Sequence, residues 1–494
     1  MIGRLAPAPA HVERSVGIGI VWKLAGQFGL QTVRLGTVAI LARLLHPADY
    51  GAAAIAVALA SFAPTLGDMG MGSALVQTET ATRLVRSTVF WASIAFGVGL
   101  SVLLAVSAVP VGLFLGDPQV GTMMAVGGLT FAIHSLGATS QAVFIREMRF
   151  RDVELRYMVA LVLASVLAVA AARVGVGAWA LVVQQVVLLA VFVAALWWRA
   201  GWHPAFEFSA AALRPLVRFA LRIAGGRWAR LLEIFLLSLL VGKLVGVEAL
   251  GAWSFAMSMV ILPLTVITIP IAEVLFSAFS RLRGERERVA ALWLESLRLL
   301  AAVVMPLLAG LVIVAPDLIP VAFGAHWRVS VAIIQILSVY VLVRCLQSWN
   351  SPVLDAAGKP HVTLWTQVAA LCLTPVAVVA GAQWSVEAVA ACFVVGQLIA
   401  VEIPSFICVV AELQVAARSV AARLVGVAGA TAVMAAGCVF CRTALEALGV
   451  GMAGRAALTI AVGMLVYVIA LSFVAPDVTR RALRFGSRIV NGPT

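Results

Sequence analysis

Residues 22–77 read WKLAGQFGLQTVRLGTVAILARLLHPADYGAAAIAVALASFAPTLGDMGMGSALVQ, two long apolar runs that meet at the short turn His46-Pro47-Ala48-Asp49. Each run is long enough to cross a bilayer, which takes about 20 residues at about 1.5 Å per residue. The first run nevertheless carries Lys23, Gln27, Gln31 and Arg34, and the second carries Asp68. At about 100° per residue the four polar positions of the first run fall in a stripe roughly 80° wide. A membrane helix does not turn such a stripe to lipid. It turns it to a bundle interior or a wet cavity, and intramembrane charges of this kind are functional candidates.

The rest of the chain extends the same pattern. Its 494 residues are 63% hydrophobic and only 12% charged, more apolar surface than a water-soluble core can hide. The fold class that accommodates this is all-α, a polytopic membrane protein. About fourteen apolar spans are expected, near 17–45, 50–75, 87–115, 119–145, 154–173, 177–198, 215–241, 248–279, 290–315, 328–355, 361–381, 386–410, 419–441 and 454–475. The connections are short, so no soluble domain is inserted. The Pro-rich, polar start, MIGRLAPAPAHVERS, lacks the short apolar core of a secretory signal, and the first span is expected to be retained.

Cations set the expected orientation. With both termini in the cytoplasm, roughly 22 Lys and Arg fall on inner segments and about 5 on outer ones. The net charge of +13 is thereby read as cytoplasmic loop arginines, and nucleic acid is not an expected partner. Eight cations remain inside spans, among them Arg34, Arg222, Arg227, Arg230, Arg298 and Arg344. An isolated Arg at a helix centre costs about 2.5–3.5 kcal/mol even on mild scales, so several together require compensation.

A shift of about 200 residues superposes Gly26 on Gly226, Arg43 on Lys243, Gly51 on Gly251 and Ala56 on Ala256, and sets the polar first span on the span holding Arg222, Arg227, Arg230 and Glu233. Two six-helix pseudo-repeats with an even helix count are parallel repeats. The expected organisation is an N-terminal lobe over 1–198 (spans one to six), a cytoplasmic linker over 199–214, a C-terminal lobe over 215–417 (spans seven to twelve), and two extra helices with a basic tail over 418–494.

Lys23, Gln27, Gln31, Arg34, Arg222, Arg227 and Arg230 are the candidate substrate-binding residues, lining a cationic cavity. Guanidinium groups suit phosphate through paired hydrogen bonds, which makes a diphosphate a natural ligand. The bland reading is burial in ion pairs, as for Arg230 and Glu233 three residues on. Asp68, Glu233 and Glu273 are candidates for coupling or gating. Asp68, in Leu66-Gly67-Asp68-Met69-Gly70-Met71-Gly72, suits equally a relay, a partner for Arg34, or a cap at a helix break. The mixed run Arg146-Glu147-Met148-Arg149-Phe150-Arg151-Asp152 reads as a topology determinant, and His134 as a satisfied core residue. Cys438 and Cys441 read as helix-packing residues, since no second pair accompanies them. No metal site and no cofactor is expected. There is no G-x-x-x-x-G-K-[ST], no H-E-x-x-H and no G-x-S-x-G, so the expectation is a transporter and not an enzyme.

The segments Ala42–Gly51 and Gly67–Gln77 resemble the opening of Wzx-type polysaccharide flippases, the lipopolysaccharide and exopolysaccharide transporters of the multidrug/oligosaccharidyl-lipid/polysaccharide superfamily. Phe144–Phe150, Gly175–Leu181, Phe323-Gly324-Ala325-His326-Trp327 and Ala356-Ala357-Gly358-Lys359-Pro360 are similar to later landmarks of that family. The resemblance implies a MATE-like fold of two six-helix lobes plus two C-terminal helices in a bacterial cytoplasmic (inner) membrane. It implies an undecaprenyl-diphosphate-linked glycan as substrate, translocated by alternating access. Membrane lipids, a polysaccharide polymerase and chain-length or export machinery are the implied partners, with H⁺ or Na⁺ as coupling ion. Two other readings stay open: a multidrug or cation exporter of the same superfamily, and a non-transporting membrane component of glycan assembly.

Overall fold

A computed structural model describes residues 29–78, 81–198, 201–268 and 285–474, with isolated positions between 268 and 285; the side chains of 77, 219, 221–227, 356 and 360 lie outside the description. Every regular element among the described residues is helical. Helix α1 is described over 29–44. It is followed by α2 (Pro47–Leu66), α3 (Met71–Gln77), α4 (Arg83–Leu115), α5 (Pro118–Arg146), α6 (Phe150–Arg173), α7 (Trp179–Trp197), α8 (Ala210–Leu244) and α9 (Val247–Val260). Then come α10 (Arg286–Phe323), α11 (Val329–Leu346), α12 (Asn350–Ala356), α13 (Pro360–Gly381), α14 (Val386–Gln397), α15 (Ile403–Leu413), α16 (Ala417–Ala447) and α17 (Met452–Val474).

Twelve stretches of the described residues are long and apolar enough to cross a membrane. The two expected spans outside this set are the first, of which only 29–44 is described, and the seventh, whose helix α8 runs 35 residues but carries too much charge. These are the two cation-bearing helices. Broad apolar faces stay uncovered, as at Phe440 on α16 and Leu465 and Phe473 on α17. In water such faces would be a liability, whereas in a bilayer they are the lipid contact. The chain is a polytopic helical membrane protein.

The helix ends follow local chemistry. Thr82 accepts the Val85 N–H at 3.3 Å to open α4, and Asp117, ahead of Pro118, accepts the Gln119 N–H at 2.9 Å to open α5. Ser385 caps α14 in the same way, through the Ala388 N–H at 3.2 Å. Two arginines of the 146–152 run close local structure. Arg146 donates to the carbonyl of Leu75 at 3.2 Å and to that of Thr78, closing the C-terminal end of α3. Arg149 pairs with Asp152 at 2.6 Å and lies 4.4 Å from the Phe144 ring centroid.

The described chain divides into two compact units, 29–45 with 55–227, and 46–54 with 228–474. Helices α2 and α8 each pass from one unit into the other without a break. In the first unit α4 and α5 pack backbone to backbone. A Cβ on Gly97 would stand 2.7 Å from the Phe131 carbonyl, and Ser101 donates to the Gly128 carbonyl at 2.8 Å.

In the second unit the first turns of α2 and α9 cross. A Cβ added to Gly51 would lie 1.7 Å from the Val247 carbonyl oxygen, and one added to Gly251 would lie 1.7 Å from that of Pro47. On shifting by 200 residues each glycine and the carbonyl it faces become the other pair, so the positions matched in sequence meet reciprocally in space. Tyr50, Phe255 and Trp327 close over this crossing, with Phe255 and Trp327 stacked at 4.0 Å. The Phe323–Trp327 landmark is therefore a packing element.

The C-terminal hairpin α16–α17 is tied to α10. Asp317, 2% exposed, accepts from Arg442 Nε at 2.6 Å and from Arg455 Nη2 at 2.7 Å, and Tyr467 donates to the Ala302 carbonyl at 2.6 Å. Asp317→Ala is expected to destabilise this attachment by about 2 kcal/mol, less than a fully buried pair because both arginines keep partial access to solvent. Hydrogen exchange on α16 and α17 should rise selectively. Unchanged exchange there would show that the two arginines are carried by other contacts.

Candidate functional site

In the first unit, the apolar face of α1 packs through Leu30 and Val33 against Ala160, Leu161 and Ala164 of α6 and Leu188 and Phe192 of α7. This rotation buries Gln31 and leaves Arg34 exposed. Arg34 Nη2 donates to Tyr157 Oη at 2.7 Å, and its guanidinium carbon lies 5.8 Å from the Tyr157 ring centroid. Among the described residues no carboxylate pairs with it. Arg34 is thus an exposed guanidinium steered by the Tyr157 hydroxyl and ring. Lys23 and Gln27 lie outside the described residues, as does Glu273.

Asp68 sits where α2 ends and α3 begins. Its Oδ1 accepts the Gly70 N–H at 2.9 Å and its Oδ2 accepts the Gly72 N–H at 2.6 Å. The intervening Met69 and Gly70 have positive φ of 55° and 79°. Of the three roles open to Asp68, the structure shows the cap at a helix break. Asp68 also shares a cavity of about 310 Å³ with His134 of α5. Among the described residues the buried ring nitrogens of His134 have no hydrogen-bond partner, which corrects the expectation of a satisfied core histidine. Nothing local in the sequence signals this, because Gly67 and Asp68, which lie beside the ring, come from the break between α2 and α3.

Asp68→Ala should destabilise the protein by about 1 kcal/mol, the usual worth of a cap. Asp68→Asn keeps an accepting oxygen and should recover most of the thermal midpoint. An Asp68→Asn midpoint as low as that of Asp68→Ala would show that the charge, and not one accepting oxygen, holds the break.

In the second unit, α8 presents Arg230 and Glu233 one turn apart. Arg230 Nη1 donates to Glu233 Oε2 at 2.9 Å. Glu233, 1% exposed, also accepts through Oε1 from Thr374 Oγ1 of α13 at 3.0 Å and from Gln397 Nε2 of α14. Gln397 in turn donates to Thr374 Oγ1 at 3.2 Å. One carboxylate therefore joins three helices, and the Arg230–Glu233 pairing open from the sequence is formed. Arg222 and Arg227 lie on α8, and their side chains are outside the description. A second intramembrane pair joins Arg344 of α11 to Glu402 at 3.3 Å.

Tyr157, Thr374 and Gln397 were not singled out in the sequence. Each is a neutral polar residue in an apolar run. A usable signal would have been the search for donors that a buried carboxylate or guanidinium must find.

The sequence model of a family described as polysaccharide biosynthesis protein matches residues 40–332. The chain is 29% identical, over 75% of its own length and 74% of the relative's, to the succinoglycan biosynthesis transport protein ExoT of Rhizobium meliloti. It is 22% identical to the lipopolysaccharide biosynthesis protein WzxC of Escherichia coli, over 74% and 75% of the two chains. Among solved structures it resembles the lipid II flippase MurJ in an inward closed conformation, with a TM-score of 0.73, 12% identity, and 92% and 98% of the two chains covered. An inward-facing multidrug resistance MATE family transporter of the MOP superfamily matches with a TM-score of 0.59, 15% identity, and 78% and 96% covered.

Proposed function

Because the chain belongs to the polysaccharide biosynthesis protein family, we propose that it is a flippase for lipid-linked glycans. In this reading it moves undecaprenyl-diphosphate-linked oligosaccharide units from the inner to the outer leaflet of a bacterial cytoplasmic membrane, both of its termini being cytoplasmic. The names of the relatives and the MurJ-like fold support the class of activity. The observation that carries the ligand is Arg34, exposed, held by Tyr157 and paired with no carboxylate among the described residues. A diphosphate entering the membrane interior loses hydration, and a fixed guanidinium lowers that cost through charge-assisted hydrogen bonds. Arg222, Arg227 and Lys23 extend the same cationic set, and an H⁺ or Na⁺ gradient drives alternating access.

The test is transbilayer movement of an undecaprenyl-diphosphate-linked oligosaccharide in proteoliposomes. Wild type should move it. Arg34→Ala should slow movement about tenfold or more, the equivalent of one charge-assisted hydrogen bond of about 1.5–3 kcal/mol. Arg34→Lys keeps the charge without the fork and should fall between. An Arg34→Ala protein, correctly inserted and moving substrate at the wild-type rate, would reduce Arg34 to a structural partner of Tyr157. No movement by wild type under an imposed gradient would overturn the flippase reading itself.

A further inference from the structure

Between α7 and α8 the chain crosses one end of the first unit as a non-helical strap, residues 201–209. Its backbone is not left to solvent. Trp91 Nε1 of α4 donates to the Ala205 carbonyl at 2.8 Å, Ser87 Oγ accepts the Ala205 N–H at 2.9 Å, and Thr88 Oγ1 accepts the Ser209 N–H at 3.1 Å. Ser87 and Thr88 are themselves fully buried. Trp202 holds the strap at its start, edge-on to Phe90 and tilted on Trp197. A loop in water needs none of these bonds, whereas a non-helical segment against a bilayer has to find them within the protein.

The outward side chains of the strap are apolar. Phe206 is 95% exposed and Phe208 58%, and Phe206 is stacked on Trp91 with ring centroids 5.3 Å apart. Trp91 shares a stripe roughly 80° wide on α4 with Leu84, Val98, Val102, Val106 and Val109, all exposed. That stripe is a lipid face, and Phe206 continues it. Its level follows from length. The 33 residues of α4 rise about 50 Å against about 30 Å of hydrocarbon, so about 10 Å of each end stands among head groups. Trp91 lies about 12 Å from the start of α4, at that boundary, where aromatic rings collect. Trp198, 88% exposed, ends the exposed face of α7 at the same end of the unit.

Cations stand beside the rings. Leu213, Leu216 and Val217 pack in the cluster that holds Val85 and Val89 of α4, which keeps the first two turns of α8 at the level of the strap. Arg214 and Arg218 in those turns are exposed, and among the described residues no carboxylate pairs with either. Exposed rings continuous with a lipid face, beside unpaired guanidiniums, match the boundary layer of an anionic leaflet. We propose that the strap is an interfacial anchor, which seats Phe206 and Phe208 at the head-group boundary and selects anionic phospholipid through Arg214 and Arg218. In the proposed topology this is the inner leaflet. The anchor does not depend on what the chain transports.

Photocrosslinking of the full-length protein tests it. Phe206→p-benzoylphenylalanine is irradiated in nanodiscs of phosphatidylcholine and phosphatidylglycerol in equal parts, and adducts are identified by mass. Val102→p-benzoylphenylalanine, on the lipid stripe, and Glu287→p-benzoylphenylalanine, at the exposed first turn of α10, are the lipid and water standards. The 206 probe should give lipid adducts at about half the yield of the 102 probe or more, and the 287 probe almost none. Phosphatidylglycerol adducts at 206 should exceed phosphatidylcholine adducts by about threefold or more. Arg214→Gln with Arg218→Gln should bring that ratio to about one and leave the total yield and the unfolding midpoint unchanged. A 206 probe as silent as the 287 probe, with the 102 probe reacting, would overturn the anchor. A polypeptide in place of lipid as the 206 adduct in the membranes of the producing cells would overturn it in favour of a protein docking surface. Equal yields of the two lipids from the wild-type arginines would overturn the selection of anionic lipid.

Discussion

Gly251→Ala is expected to abolish recovery of correctly folded protein, and Gly51→Ala to do the same. The added Cβ would stand 1.7 Å from a backbone carbonyl oxygen in each case, and no rotamer relieves a clash with main chain. Overpacking of an ordinary core costs about 1–3 kcal/mol because side chains shift. Here two helix axes have to separate, unseating Tyr50, Phe255 and Trp327 above them, so the expected cost exceeds 3 kcal/mol. The sign is diagnostic, since alanine is intrinsically better in a helix than glycine by about 1 kcal/mol. Gly36→Ala is the control: a Cβ there meets nothing within 4 Å, and its midpoint should hold or rise. The double variant Gly51→Ala with Gly251→Ala should be little worse than either alone, because one separation accommodates both methyls. Size-exclusion profiles and thermal midpoints in detergent measure all four. A Gly251→Ala protein with an unchanged midpoint would show that α2 and α9 do not cross so closely.

Glu233→Ala is expected to destabilise the second unit by about 3 kcal/mol, the lower part of the range for breaking a buried pair, since Arg230 is half-buried and retains some hydration. Its removal strips the acceptor from Arg230, Thr374 and Gln397 together. Replacing both charges, Arg230→Leu with Glu233→Leu, should recover much of the loss, because apolar groups of similar size often substitute for a buried pair without penalty. The double variant then separates architecture from transport. If it is stable and moves lipid-linked glycan at the wild-type rate, the pair is a structural tie. If it is stable and inactive, the charges take part in the transport cycle. A Glu233→Ala midpoint equal to wild type would contradict the three-helix junction altogether.

Helix positions were legible because apolar length and hydrogen-bond closure leave few choices inside a bilayer. The expected span 119–145 is observed as Pro118–Arg146, and 361–381 as Pro360–Gly381. The break inside 50–75 was foreshadowed by three glycines around Asp68, and the structure fills it with a cap. The Arg230–Glu233 pair was legible because three residues is one helical turn. Its other members were not. Thr374 and Gln397 lie 141 and 164 residues from Glu233, and no local pattern marks a neutral hydroxyl or amide as the donor for a distant carboxylate. The same holds for Tyr157 beside Arg34, 123 residues away. The repeat showed which glycines correspond, and only the coordinates show that the corresponding glycines touch. The π-helical turns that the structure holds at 264–268 and 398–402 left no trace in composition, since one extra residue per turn hardly alters a hydropathy profile.

The chain changes unit at three places, in the turn at Leu45 and His46, inside α2 between Ala54 and Ile55, and inside α8 between Arg227 and Trp228. At the last two the hydrogen-bonded ladder of a single helix runs on through the change. On α8 the pair Gly225-Gly226 stands next to the change of unit, and glycine pairs are where helices yield to bending. The stiffness of α8 at that point is then a property of the rod's own few residues, with no connecting loop to share it.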